Sequence, residues 1–287
     1  MPIPNFKNRS WALVLRLLRS CQMVLEVVDA RDIAATRVPR LERVAGRKLV
    51  LVAAKSDLLP GSPRGLSVQK DGLTVFYTSA RTHGGIEELK NWILDKSEIH
   101  FARYGRPRLV HGELMHTFDI LIYGIPNVGK SSLINAIRGR HVTATGFRAG
   151  ITRGVQIINL AEGVRLVDMP GVVDWSVGDE HLAMHAALDV EKLRDPLTTA
   201  EQLVEQFIAK KDDGLANHFG VRMSGDAGTL LVSIARRRGK LLKGGEPDVD
   251  EAAKIVLREW QKGKYGFSKV RHELQTPSSP HSRKPSR

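Results

Sequence analysis

A glycine-containing loop is the stretch of this sequence whose residue types and spacing most clearly imply chemistry. Residues 124–131, GIPNVGKS, fit the pattern G-x-x-x-x-G-K-[ST], with an apolar run before them and an amphipathic run after them. Phosphate oxygens need several converging N–H donors, which a glycine loop at a helix N-terminus supplies. We expect Lys130 on the β and γ phosphates, the Ser131 hydroxyl on Mg²⁺ and Ser132 near the α phosphate. The predicted contact residues of this phosphate loop are Pro126, Asn127, Val128, Gly129, Lys130, Ser131 and Ser132.

Two later segments have residue types that would complete a phosphate and magnesium site. Asp168, in DMPG after the apolar run GVRLV, places a carboxylate at a predicted strand end, which suits Mg²⁺, and the N–H of Gly171 suits the γ phosphate. Thr152, in AGITRGV, is the candidate switch threonine that reaches Mg²⁺ when the γ phosphate is present. The pattern D-x-x-G also occurs in ordinary turns, and an ordinary loop residue is the alternative for Thr152.

A candidate base-binding site precedes the phosphate loop in the chain. Asp57 follows the apolar run LVLVAA, and its carboxylate can accept two parallel hydrogen bonds from guanine N1–H and N2–H₂, for which adenine has no matching donors. Lys55 is expected to pack its stem along the base. Ser79 and Ala80, in TSA at the end of the next predicted strand, are expected to bring a backbone N–H to guanine O6. A K-x-D triplet alone is a weak signal, but two strand-end motifs beside a phosphate loop predict a guanine-nucleotide site.

The composition is that of an ordinary globular protein with a strong basic excess. Lys and Arg number 44 against 31 Asp and Glu, which gives a formal charge of +13. This excess favours a polyanion as partner, although many basic proteins carry their charge only as a solvated surface. The single cysteine, Cys21, excludes a disulfide framework, and no apolar run has the length of a membrane helix or the pattern of a signal peptide. We expect a cytoplasmic monomer without membrane contact.

Short apolar segments that alternate with amphipathic ones predict an α/β fold with a mostly parallel sheet covered on both faces. After about residue 176 the pattern becomes entirely helical. The predicted strands are 23–32, 48–57, 73–81, 118–124 and the hairpin 155–160 with 163–171, the first three each including the loop that follows. The predicted helices are 9–20, 39–46, 84–96, 129–139, 198–211, 227–239 and 248–263. The expected domains are a nucleotide-binding domain at 1–175, a helical domain at 176–275 and a disordered basic tail at 276–287.

Taken together, the motifs resemble those of a known family. Residues 54–57 (AKSD), 78–80 (TSA), 124–131, Thr152 and 168–171 (DMPG) resemble the five G motifs of TRAFAC GTPases in the order four, five, one, two, three. This is the circularly permuted arrangement, and VVDARD together with the C-terminal helical segment looks most like the YlqF/RbgA branch. The resemblance implies a P-loop GTPase that binds GTP or GDP with Mg²⁺, is slow without ribosomal activation, and assists assembly of the large ribosomal subunit by docking on rRNA.

The permuted order has a structural consequence. Because a sheet is set by which strands are neighbours, moving the chain ends leaves the site intact if the old ends were close. The segment 168–175 then leads directly into the helical domain. We hypothesise that loss of the γ phosphate releases this segment and changes the angle of that domain.

Departures from the family pattern bear on catalysis. Ala54 replaces the usual Asn, which predicts weaker guanine binding, and Val172 stands where many GTPases have a water-orienting Gln. The N-terminal segment has no His matching the one implicated in hydrolysis, so no residue is named for positioning the water. Asn127 matches an Asn that helps to bind K⁺ in potassium-activated relatives, and K⁺ there would offset developing charge. The resemblance assigns catalytic roles to Lys130, Thr152 and Asn127.

Other functions remain open at this point. A nucleotide-gated scaffold that binds GTP, hydrolyses it negligibly and recruits a protein partner fits the same departures. A small-subunit assembly factor is a third possibility, although relatives of that kind usually add a zinc module or an OB domain. The predicted rRNA contacts, with a solvated helix face as their alternative, are Arg236, Arg237, Arg238, Lys240 and Lys243.

Overall fold

A computed structural model describes residues 6–66, 73–110, 113–139, 155–168, 190–193, 195–223 and 225–268 of the chain. The α-helices within these ranges are α1 Phe6–Ser20, α2 Ile33–Thr36, α3 Pro39–Ala45, α4 Ile86–Tyr104, α5 Lys130–Arg138, α6 Pro196–Ala209, α7 Gly214–Phe219, α8 Ala227–Arg237 and α9 Val249–Gln261. The strands within them are β1 Met23–Asp29, β2 Leu49–Ala54, β3 Gly65–Leu66, β4 Thr74–Tyr77, β5 Arg108–Val110, β6 Glu113–Met115, β7 Phe118–Tyr123, β8 Gln156–Ala161 and β9 Val164–Asp168.

Seven of the strands form one sheet, in the order β3-β4-β2-β1-β7-β9-β8. The five inner strands run parallel, whereas β3 and β8 pair antiparallel with their neighbours at the two edges. Every residue of β1 and β2 is buried, as expected for strands covered on both faces. The edge strand β8 alternates between exposed and less exposed residues. The mostly parallel α/β sheet predicted from the sequence is confirmed.

The carboxyl ends of the parallel strands lie along one edge of the sheet, and the candidate residues follow them. Asp29 at the end of β1 lies beside Ala54 at the end of β2. On the other side of β1, Ile122 of β7 lies beside Asp168 of β9. Ligands of open α/β sheets bind outside this edge. The topology therefore brings together motifs that are far apart in the sequence.

Helices α6, α8 and α9 pack around a second apolar core, separate from that of the sheet. Phe207 and Trp260 are fully buried at its centre, with ring centroids 5.8 Å apart. Each of the three helices begins after an aspartate whose carboxylate accepts a backbone N–H three residues later, which stabilises the first turn. These capping residues are Asp195, Asp226 and Asp248. The predicted boundary near residue 175 and the predicted tail 276–287 lie outside the described residues.

The described elements differ from the predicted ones mainly in length and in the shortest pieces. Helix α4 continues to Tyr104 instead of ending at 96, because Ser97 and Phe101 extend the buried face formed by Leu89 and Ile93. The two-residue strand β3, the hairpin β5–β6 and the short helices α2 and α7 were not predicted, since each is too short to show a periodic pattern. Among the described helices, none combines the length and apolar character needed to cross a membrane.

Candidate nucleotide-binding site

The phosphate loop joins β7 to α5 at the centre of the sheet edge. Its first glycine, Gly124, has φ +157° and passes so close to β1 that an added Cβ would lie 2.3 Å from the Val27 carbonyl oxygen. Gly129 precedes α5 with φ +114°, and Asn127 at the exposed tip has φ +61°. Val128 is buried beneath the loop, Pro126 is partly buried, and Ser131 and Ser132 are exposed on the first turn of α5. The backbone therefore has the curvature that a phosphate-binding loop requires.

Lys130 is folded into this loop. Its Nζ donates hydrogen bonds of 2.8 Å to the carbonyl oxygens of Gly124 and Ile125. Burial lowers the pKa of Lys130 to about 8, and the nearby Asp168 carboxylate opposes this shift. The ammonium thus lies inside the loop that is expected to hold phosphates, and added phosphate charge would raise its pKa again.

The magnesium side of the site is described only in part. Asp168 ends β9 beside the phosphate loop; burial raises the pKa of its carboxyl group and Lys130 partly offsets the rise. Ser131 is exposed on the first turn of α5. Thr152 and Gly171 lie outside the described residues. Within the described residues, no group of three or more His, Cys, Asp or Glu side chains could hold a metal ion. A hydroxyl and a carboxylate nevertheless fit Mg²⁺, which usually binds through one or two protein ligands together with phosphates and water.

The proposed base-reading carboxylate, Asp57, is held by two side chains. Its Oδ1 accepts a hydrogen bond of 2.5 Å from Ser79 Oγ, and its Oδ2 accepts one of 2.8 Å from Arg81 Nε. The Ser79 N–H donates to the Gly84 carbonyl oxygen at 2.8 Å, so the serine contributes its hydroxyl here, whereas Thr78 and Ala80 line the cavity. Arg81, which sequence reasoning missed, has a side chain that is 72% exposed and occupies the carboxylate edge that guanine would need. Its position directly after the TSA segment is the sequence feature that could have identified it as a site residue.

Lys55 is fixed by the end of β1. Its backbone is left-handed at φ +61°, and its Nζ donates a 2.9 Å hydrogen bond to Asp29 Oδ2. Burial raises the pKa of the Asp29 carboxyl group, but Arg31 and Lys55 outweigh it and hold that pKa well below its usual range. Burial lowers the pKa of Lys55, partly opposed by Asp29. The Asp29 carboxylate is therefore charged and anchors the Lys55 ammonium group, while Lys55 forms part of the cavity wall.

A cavity of about 210 Å³ connects the base site to the start of α5. Ala54 forms part of its wall, and an added Cβ on Gly129 would lie 3.3 Å from the Ala54 Cβ. The end of β2 therefore packs against the phosphate loop by direct contact, where the family pattern has an asparagine amide. The cavity lining is Ala54, Lys55, Asp57, Leu58, Thr78, Ala80, Arg81, Gly129, Ser132, Leu133, Lys262 and Gly263.

Comparison with known proteins finds matches to GTP-binding proteins. The family model described as "50S ribosome-binding GTPase" matches residues 119–216. An uncharacterized GTP-binding protein of Methanocaldococcus jannaschii is 31% identical over 261 residues, which cover 90% of this chain and 66% of that protein. The GDP-bound structure of YlqF from Thermotoga maritima matches with a TM-score of 0.59 and 26% identity, covering 91% of this chain and 99% of that one. This chain belongs to the circularly permuted GTPases of the YlqF/RbgA family.

Two further matches differ in how much of the matched protein the chain covers. The GNP-bound structure of Thermotoga maritima YlqF matches with a TM-score of 0.57 and 25% identity, covering 90% of this chain and 95% of that one. "Nucleolar GTP-binding protein 2" of Neurospora crassa is 31% identical over 278 residues, 90% of this chain and 41% of that protein. The chain thus spans about two thirds of its archaeal relative and less than half of the fungal one.

The permuted order of the YlqF/RbgA family is visible in the sheet. The strands that precede the base motifs, β2 and β4, come earlier in the chain than β7, which precedes the phosphate loop. In space, β1 separates β2 from β7, and all three run parallel with their carboxyl ends at the site. The neighbour relations that build a nucleotide site are kept although the chain meets the base loop first.

Proposed function

We propose that this chain binds GTP and GDP in the cavity at the carboxyl edge of the sheet. The observation that carries the proposal is that Lys55, Asp57 and Gly129, from motifs far apart in the sequence, line one cavity. Asp57 accepts guanine N1–H and N2–H₂ once Arg81 moves aside, and the Lys55 stem lies along the base. An N–H of the TSA segment, at Ala80, reaches O6.

The phosphate loop is proposed to hold the phosphates through its backbone and one side chain. The N–H groups of Asn127 to Ser132 point to the α and β phosphates, and Lys130 exchanges its two carbonyl acceptors for phosphate oxygens. This exchange is favourable because a charged acceptor forms the stronger hydrogen bond with an ammonium. The Lys130 side chain therefore changes its hydrogen-bond acceptors when the nucleotide binds.

Magnesium is proposed to be held by the Ser131 hydroxyl and by Asp168, directly or through water. Thr152 is proposed to reach Mg²⁺ when the γ phosphate is present, and the Gly171 N–H is proposed to donate to that phosphate. When bound, Mg²⁺ offsets negative charge on the phosphates that develops as GTP is split. Asn127, at the exposed tip of the loop, is the proposed K⁺ ligand, and replacing K⁺ with Na⁺ should then slow turnover.

The proposed reaction is hydrolysis of GTP to GDP and phosphate, slow in isolation and stimulated by the large ribosomal subunit. Support comes from the matched family model, whose members are described as 50S ribosome-binding, and from the net charge of +13. Arg236, Arg237 and Lys243 are exposed at and after the end of α8, whereas Arg238 donates a 3.1 Å hydrogen bond to Glu259. The first three are therefore the better candidates for phosphate contacts on rRNA.

The test is the rate of GTP hydrolysis in K⁺ buffer, measured alone and with purified large or small ribosomal subunits. Stimulation by the large subunit only, lost when K⁺ is replaced with Na⁺, is the expected result. A triple variant of Arg236, Arg237 and Lys243 to alanine should lose stimulation and keep GDP affinity. Its control replaces Arg106, which is exposed and paired with Glu98 on the sheet domain.

A nucleotide-gated scaffold is the second candidate, favoured by the apolar contact of Ala54 with the phosphate loop, where the family pattern has an asparagine. It predicts GTP binding without turnover under every condition above. Stimulation by the small subunit instead would contradict both proposals.

A further inference from the structure

A buried line of charged groups connects the base site with the last helix of the second core. The Asp29 carboxylate accepts hydrogen bonds from Lys55 Nζ at 2.9 Å and from Arg31 Nε and Nη2 at 2.9 and 2.7 Å. The remaining guanidinium nitrogen, Arg31 Nη1, donates hydrogen bonds to the carbonyl oxygens of Trp260 and Tyr265 at 2.9 and 3.1 Å. The guanidinium also lies over the Trp260 ring at 3.7 Å. One arginine therefore satisfies carbonyl groups at the end of α9 and holds the carboxylate that anchors the base-site lysine.

The backbone after α9 packs directly on the base loop. An added Cβ on Gly266 would lie 2.5 Å from the Leu58 carbonyl oxygen, and one on Gly263 would lie 3.0 Å from Leu58 Cδ1. Leu58 immediately follows Asp57. Lys262 and Gly263 also line the cavity proposed for the nucleotide. The segment after α9 is thus a wall of the base site and a neighbour of the loop that reads the base.

We infer that Arg31 is a positioning residue that couples guanine binding to docking of the helical region on the sheet. This inference rests on the proposed function, since it takes the cavity at Lys55 and Asp57 as the base site. The coupling acts through the base and not through the γ phosphate, so GDP and GTP engage it equally. It is therefore distinct from any signal carried by the segment after Asp168.

The physical basis is that the same groups serve both events. Docking of residues 260–266 completes the cavity wall and supplies the two carbonyl acceptors for Arg31, which keeps Asp29 and hence Lys55 in place. A bound base in turn orders Lys55 and the loop at Leu58, against which Gly266 packs. Two events that share ordered groups favour each other, and linkage requires the effect to be the same in both directions.

Two variants disturb this connection at different points. Arg31→Met keeps an apolar stem against Trp260 and removes the side-chain hydrogen bonds to Asp29 and to the two carbonyl groups, while the backbone N–H of residue 31 still donates to Asp29 Oδ1. Gly266→Ala removes no charged group and pushes against the Leu58 carbonyl oxygen, with the added Cβ also 3.4 Å from Arg31 Cδ. Arg106→Met serves as control, because Arg106 is exposed just after α4 and, among the residues that the structure describes, it is paired only with Glu98.

The measurements are the affinity for GDP and for a non-hydrolysable GTP analogue, and amide hydrogen exchange of the full chain with and without each nucleotide. In the wild type, both nucleotides should slow exchange equally at Gly263 and Lys264, whose N–H groups bond to the Trp260 and Glu259 carbonyl oxygens. Arg31→Met and Gly266→Ala should each weaken both nucleotides about tenfold, with the ratio between the two unchanged. Arg31→Lys should recover part of the loss, and Arg106→Met should lose nothing.

Three results would overturn the coupling while the wild type still binds guanine nucleotide. They are unchanged exchange at residues 263–264 on GDP binding, protection by the GTP analogue alone, and nucleotide affinities of both variants within twofold of the wild type. The exchange measurement uses only the wild type, so it decides even if a variant fails to fold. Absence of guanine-nucleotide binding by the wild type would instead overturn the proposed function.

Discussion

The hydroxyl of Ser79 offers a sharp test of the base site. Its Oγ donates to Asp57 Oδ1 at 2.5 Å and accepts the Thr82 N–H at 3.1 Å, and the residue is 1% exposed. Ser79→Ala removes this hydroxyl with little change in volume. Asp57 then loses its buried donor, and Arg81 remains as its side-chain partner within the described part of the chain. The carboxylate should become less well oriented toward a base.

The size of the effect follows from these contacts. A hydrogen bond to a charged group contributes roughly 1.5–3 kcal/mol, while an exposed pair such as Arg81 with Asp57 contributes about 0–1 kcal/mol. Part of the loss will appear in the free energy of unfolding, because the Thr82 N–H also loses its acceptor. We therefore expect guanine-nucleotide affinity to fall about tenfold, equivalent to about 1.4 kcal/mol. The fall should be the same for GDP and GTP, since they share the base.

The assay is calorimetric titration of GDP and a GTP analogue into each variant, with ADP as the competitor that tests base discrimination. Ser97→Ala is the matched control. Ser97 is also 1% exposed, and its Oγ donates to the Leu94 carbonyl oxygen within α4, which contributes no residue to the cavity. Urea unfolding of both variants separates loss of stability from loss of affinity.

The reasoning about Asp57 would be refuted if Ser79→Ala bound GDP within twofold of the wild type and still excluded ADP. A loss of GTP affinity with unchanged GDP affinity would also contradict it, because that pattern belongs to the γ phosphate and not to the base. An equal loss in Ser97→Ala would show that the affinity reports general stability.

Three further predictions concern the same edge of the sheet and the strand beneath it. Arg81→Ala should raise GDP affinity up to about fivefold, since guanine no longer displaces an exposed ion pair worth at most about 1 kcal/mol; weaker binding in a titration would mean that Arg81 assists the base. Because burial lowers the pKa of Lys130 to about 8, GDP affinity should fall about tenfold between pH 7 and pH 9. Lys130→Met should bind GDP more weakly, and its affinity should not depend on pH in this range. The same pH dependence in Lys130→Met would mean that another group causes it. Burial raises the pKa of Glu26 to about 7 in the centre of β1, so the stability linked to its protonated form is complete at low pH and is lost as pH rises to about 7. The free energy of unfolding in urea should therefore include a fall of roughly 2–3 kcal/mol between pH 5 and pH 8 that Glu26→Gln removes, and an unchanged slope in that variant would contradict the prediction.

The parts of this structure that the sequence predicts are those set by local chemistry. Gly124 and Gly129 can be predicted because only glycine tolerates the close approach to Val27 and the positive φ before α5. The buried strand β2 is predicted because runs covered on both faces are continuously apolar, and β1 keeps this pattern except at Glu26 and Asp29. The order of base and phosphate motifs indicates the permutation by itself. These features can be recognised from short motifs and from their order in the chain.

The contacts around the base could not be predicted from the same reasoning. That Ser79 uses its hydroxyl and that Arg81 covers Asp57 depend on how two loops meet in space. The sequence DARD places Asp29 and Arg31 at a strand end, which suggests a charged contact but not its partners. Those partners, the Trp260 and Tyr265 carbonyl groups, are far away in the chain, and only the tertiary fold brings them within 3.1 Å.

Two separate connections link the proposed nucleotide site to the helical region. One is covalent, through the segment that follows Asp168, and by hypothesis it responds to the γ phosphate. The other is the non-covalent contact of Arg31 with the end of α9, which lies on the base side of the cavity. A GTPase with both could distinguish empty, GDP-bound and GTP-bound states by the position of one domain, since the base contact separates empty from occupied and the γ phosphate separates GTP from GDP. Amide hydrogen exchange at residues 263–264 and at the end of β9 should then show a different pattern in each of the empty, GDP-bound and GTP-bound states. Only two distinct patterns would mean that only one of the two connections responds to the nucleotide.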